Sequence, residues 1–177
     1  VASLQKANAV SGGIPDSHAA LASIQFMLEQ YDDAVENCWA AVKLDPLHGE
    51  AHKTFKGIKL ALGQDAESYD TFRWAIETLP DVGQAYEQYG WELAQDEKFA
   101  QAEPLLRRAL EIDPNLPTAR ACLGWSLSML GKHDEAMSHY ALAVELTPDD
   151  PMVLESFGQS LIRAGRPAEA VPVLQKA

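Results

Sequence analysis

The chain has 177 residues, 47% apolar and 23% charged, the balance of a folded globular sequence rather than a disordered one. Its 26 acidic residues against 14 lysines and arginines leave a net charge of -12, which makes DNA, RNA and anionic membrane surfaces poor partners. No apolar run approaches the roughly 18 residues of a membrane span, and no basic start leads into an apolar signal region.

Self-comparison organises the rest. Prolines fall at 46, 80, 114 and 148, each 34 residues after the last. The chain opens with VASLQKA and closes with VPVLQKA in the same phase, so both ends are expected to cut a repeat. Residues 1–14 are read as the second helix of a preceding partial repeat, closed by Ser11-Gly12-Gly13. Complete repeats are expected at 15–48, 49–82, 83–116 and 117–150, and an incomplete fifth at 151–177. Each is predicted to form two amphipathic helices. Asp45-Pro46, Asp113-Pro114 and Thr147-Pro148 should stop second helices, because the residue before proline is disfavoured in helical geometry. Asp32-Asp33 and Asp134-Glu135 should open them, where negative charge suits a helix N-terminus. Pro104 and Pro172 are expected near first turns, where a missing N–H costs little. Starting at Val1 rather than Met suggests a fragment, and cut repeats would expose apolar ends through which copies could associate. Cys38 and Cys122 lie in different repeats, too far apart to bridge, which tilts the expectation toward a reducing compartment such as the cytoplasm.

Small residues recur at Ala34, Ser68, Ala102, Ala136 and Ala170, and again at Ala41, Ala75, Ala109 and Ala143. Two helices approach closely only where side chains are small, so these columns mark the contact line of a helical hairpin. Larger residues share another phase: Cys38, Phe72, Leu106, Tyr140 and Leu174. The 34-residue period, with Leu123-Gly124, an alanine four residues before an aromatic (Ala136 and Tyr140) and a closing proline, resembles the tetratricopeptide repeat family. The resemblance implies an all-α fold, a right-handed superhelical solenoid of antiparallel helix pairs.

It also implies a groove lined by first helices that takes a peptide or helix of another protein. The groove positions include Phe26, Lys53, Gln88, Trp91, Cys122, Trp125, Met129 and Met152. Members of the family that clamp a terminal carboxylate need cations and amide donors there, whereas Ala19, Ser23, Thr54, Gln84 and Gln88 supply no cation. The asparagine ladder of the family's glycosyltransferases is missing too, since the only asparagines are Asn8, Asn37 and Asn115. In their place stand Trp91 and Trp125, one repeat apart, with Met129 and Met152 nearby, a set suited to an apolar segment. Two roles are open to the tryptophans, ligand anchors or packing between first helices. Burying one Trp gives roughly 2 to 3 kcal/mol against ~4 to 15 kcal/mol of association cost, so several repeats must contribute to binding.

The second repeat is irregular. Lys56 stands where the others have Ala22, Gly90, Gly124 and Gly158, and Lys59 where three of them have leucine. With Lys53 these lysines form either a basic spot for an acidic segment or a set of stems lying on apolar surface. Trp39 and Trp74 lean outward and are either partly covered by neighbouring long side chains or make the convex side a rival contact. His48, Glu50 and His52 straddle a turn without a third clear ligand, so no metal site is expected, and no nucleophile motif, phosphate loop or Cys-x-x-Cys occurs. The expected function is thus a non-catalytic protein-binding scaffold without a cofactor. The alternatives are a substrate-recruiting domain of a larger enzyme, for example a transferase, and a self-assembly module.

Overall fold

A computed structural model describes residues 14–177, and the helix read within the first fourteen residues falls almost wholly outside them. Among the described residues there are ten α-helices and no strand: α1 (Pro15–Met27), α2 (Tyr31–Leu44), α3 (Gly49–Ala61), α4 (Asp70–Thr78), α5 (Gly83–Gln95), α6 (Phe99–Ile112), α7 (Pro117–Met129), α8 (His133–Leu146), α9 (Pro151–Arg163) and α10 (Pro167–Lys176). The chain divides into two compact units that part after Pro80. The first holds α1 to α4 and the second α5 to α10.

Second helices end where the sequence places them, at Leu44, Ile112 and Leu146, with Asp45, Asp113 and Thr147 as C-caps. Asp45 and Asp113 then accept from the backbone N–H groups of Leu47 (3.0 Å) and Asn115 (2.9 Å), tightening the turn around each following proline. First helices end on a left-handed residue at one repeat phase: Glu29, Gly63, Glu97, Gly131 and Gly165. The next N–H in each case bonds back to the last helical turn, as in Lys98 to the Leu93 carbonyl (2.9 Å) and Lys132 to Leu127 (2.9 Å). Glu29 and Glu97 hold this conformation without the freedom of glycine.

Antiparallel pairs close on the column of small residues. A Cβ added at Gly90 would lie 2.7 Å from Leu106 Cγ, and one at Gly124 would lie 3.0 Å from the Tyr140 ring. Gly158 faces Leu174 in the same way, and Ala22 meets Cys38 in the core of the first unit. Lys56 breaks the column, and the helix opposite it changes. Second helices begin at Tyr31, Phe99 and His133, a spacing that puts a start at 65, yet a 3-10 turn occupies Asp65–Glu67 and α4 begins at Asp70. The Lys56 ammonium lies 5.6 Å from the centre of the Tyr69 ring, and Lys59 reaches Glu67 (2.6 Å) and Gln64 (2.9 Å) while crossing Phe55. His52 is buried, stacks on Phe72 at 4.4 Å and donates to the Pro46 carbonyl (2.9 Å).

One expectation is corrected. Pro104 and Pro172 are interior residues of α6 and α10 rather than first-turn residues, because those helices start at Phe99 and Pro167. Both prolines are exposed, as are Ala100 and Ala168 one turn earlier, so water can take the carbonyl each proline leaves unpaired. Of the two readings of Lys53, Lys56 and Lys59, the geometry supports stems lying on apolar surface: Lys56 lies over Tyr69 and Lys59 crosses Phe55 to its ion pair with Glu67, while Lys53 is exposed.

Gly90→Leu forces Leu106 out of place and is expected to cost about 1 to 3 kcal/mol in urea unfolding. Glu97→Gly relieves a left-handed residue and should stabilise the chain by about 0.5 to 1 kcal/mol in the same assay.

Candidate functional site

The second unit carries an open cleft of about 400 Å³ lined by first helices α5, α7 and α9. The 34-residue period sets the rows of this cleft. Trp91, Trp125 and Gln159 are one row, Cys122 and Ser156 a second, and Ala121 and Glu155 a third. Met152 closes one end, while Gln95 and Arg163 share the phase that follows the tryptophan row by four residues.

Trp125 touches both the core and the cleft. Its ring packs edge-on against the buried Phe99 at 5.3 Å, and it also faces the cleft. Trp91 is half-buried on the cleft wall. Cys122 is 1% exposed, and burial, reinforced by Glu87, pushes its thiol up to about 12. It is therefore a packed, neutral floor residue. Met152 remains 46% exposed, an accessible apolar side chain on the rim. Gln159 donates to Glu155 (3.2 Å), which fixes the acidic side of the rim, and Arg163 stands two turns further along α9.

The other residues singled out lie elsewhere. Gln88 is half-buried on α5 and Met129 is 42% exposed at the end of α7, and neither lines this cleft. Phe26 and Lys53 belong to the first unit, where Phe26 packs 6.1 Å from the Tyr31 ring and against the position of Gly57. At the groove positions of that unit Ser23 bonds to Thr54 (3.1 Å), and beside them a chain of bonds runs from His18 through Asn37 to the buried Gln25. His48 accepts from the Ala51 N–H and caps α3. The remaining cleft residues share repeat phases with groove residues named from the sequence: Ala121 and Glu155 with Lys53, Ser156 with Gln88, Gln159 with Trp91, and Gln95 and Arg163 with Met129.

Antiparallel helix pairs recurring every 34 residues, with an open cleft among first helices, define a helical-repeat protein of the kind that presents a surface rather than encloses a cavity. Residues 93–155 match the family model of the tetratricopeptide repeat. Solved structures agree in fold. YrrB, described as a TPR protein with an unusual peptide-binding site, is 22% identical over 98% of this chain and 89% of its own, with a TM-score of 0.60. MamA is 18% identical over 92% and 88%, at 0.63. PilW, described as a widely conserved type IV pilus biogenesis factor, is 21% identical over 92% and 75%, at 0.67. No curated protein sequence matches the chain.

Cys38, like Cys122, is buried with its thiol pushed up to about 12, chiefly by desolvation. Both should react with a small disulfide reagent at pH 8 at least about 100-fold more slowly in the folded chain than in urea. The unfolded chain ionises its thiols first, so both groups should also lower stability as pH rises above 9 toward 12.

Proposed function

We propose that the protein is a non-catalytic interaction scaffold, and that the cleft of its second unit takes an apolar peptide or helix segment of a partner protein. The observation that carries this reading is the convergence of Trp91 and Trp125, from successive first helices, on one open cleft. Aromatic anchors over a buried floor, ringed by amide and charged groups, have the make-up of a peptide-binding centre. The volume, about 400 Å³, suits a few side chains rather than a whole folded domain. Gln95, Gln159, Glu155 and Arg163 provide both donors and acceptors around the apolar floor, so the bound segment keeps hydrogen-bond partners for polar groups at its edges. The peptide-binding site described for YrrB, on the same fold, is consistent with this use.

Peptides selected by display against the intact chain supply the probe. Trp91→Ala and Met152→Ala are expected to weaken their binding by about tenfold or more each in calorimetric titration, with thermal melting little changed. Met129→Ala, away from the cleft, should leave affinity within about twofold. Full affinity in Trp91→Ala would overturn the reading.

A further inference from the structure

In the first unit, Trp39 and Trp74 form a separate aromatic cluster that the cleft of the second unit does not use. Their rings meet edge-to-face at 6.1 Å, and Trp39 also packs on Phe55 at 5.6 Å. Both remain half-buried and line an open cleft of about 610 Å³ with Val35, Glu36, Ala40 and Lys43. Glu36 and Lys43 are exposed, and among the described residues neither has an ion-pair partner.

We propose that this face binds a second copy of the chain, with α2 of one copy antiparallel to α2 of the other. The order of charges along the helix carries the assignment. Glu36 and Lys43 are seven residues apart, two helical turns of about 10 Å, and so share one face of α2. The midpoint between them falls between Trp39 and Ala40. A twofold axis through that midpoint puts Glu36 of each copy opposite Lys43 of the other, making two cross-pairs at once. A parallel copy would instead set like charge on like. Ala40 beside the axis lets the two helices approach, and the axis brings the two Trp39 rings together next to Trp74. The apolar centre thus gains cover while the charges fix its direction. Repulsion between two chains of net charge -12 is long-range and is screened over about 8 Å at physiological ionic strength.

Sedimentation equilibrium at physiological salt tests this directly. The wild-type chain should reach twice the monomer mass within concentrations up to roughly 1 mM. Glu36→Lys or Lys43→Glu alone sets like charges opposite each other twice, and should raise the dissociation constant by about tenfold or more. Mixing the two single variants should restore association as a heterodimer, and the double variant E36K/K43E should restore the homodimer. Circular dichroism of each variant should match wild type, because both side chains are exposed. A wild-type monomer throughout, single variants that associate unchanged, or a mixture that associates no better than its components would each overturn the proposal.

Discussion

Each regular helix pair depends on a backbone-to-side-chain contact at the eighth position of its repeat, where the first helix offers no side chain, or only a methyl group, and the second helix presses a large residue against it. Leu106 against Gly90, Tyr140 against Gly124 and Leu174 against Gly158 are the same contact made three times. Around it gather residues buried to within a few percent: Ala102, Ala109, Ala136, Ala143, Leu123 and Leu127. Close packing of this kind tolerates little added volume, so the column constrains where each second helix can begin. The repeat with Lys56 shows the consequence, with a 3-10 turn and a late, short α4. Its lysines, His52 and Ser68 then hold the altered segment through Tyr69, Glu67, Phe72 and the Asp65 carbonyl.

The regular contact also makes the second unit suitable for a cleft. Because α5, α7 and α9 start at the same phase of successive repeats, residues 34 apart fall into rows facing the same side. The packing phases are held to small or leucine-like side chains, whereas the facing phases are free to vary, and it is there that Trp91, Trp125, Cys122, Glu155 and Arg163 appear. Ion pairs link successive second helices: Glu103, paired with Arg107 on its own helix, meets Lys132, and Arg107 meets Glu135. The lysine and arginine beside Glu103, Lys132 foremost, hold its carboxyl below the usual range. Such pairs at partly exposed positions add little stability singly, but they are spatially separate from the cleft residues.

Much of the helix order was legible before any coordinates, because prolines, small-residue columns and acidic first turns are local signals that act through backbone geometry. The stops at Asp45, Asp113 and Thr147 follow from that geometry alone. Glu29 and Glu97 in left-handed conformation were not legible, since neither residue type marks such a turn and only the repeat phase shared with Gly63, Gly131 and Gly165 does. Pro104 and Pro172 misled for a related reason. A proline reads as a first-turn residue unless one knows that the carbonyl it orphans faces solvent. For the cleft, the phase rule located the facing positions, but it set Gln88 and Met129 beside Trp91 and Trp125 without distinguishing those that line one cavity.

By itself, then, the sequence determined the helix-pair unit, its period and the packing columns, because periodicity and turn chemistry are properties of short stretches repeated along the chain. Tertiary structure decided which side chains meet. It turned Lys59 inward to Glu67, set Trp39 on Trp74, gave Trp125 both a core partner in Phe99 and a face on the cleft, and buried Cys122 beneath it. These outcomes depend on rotamers and on contacts between residues tens of positions apart, and a repeat phase assigns a residue to a face without saying what it will touch there.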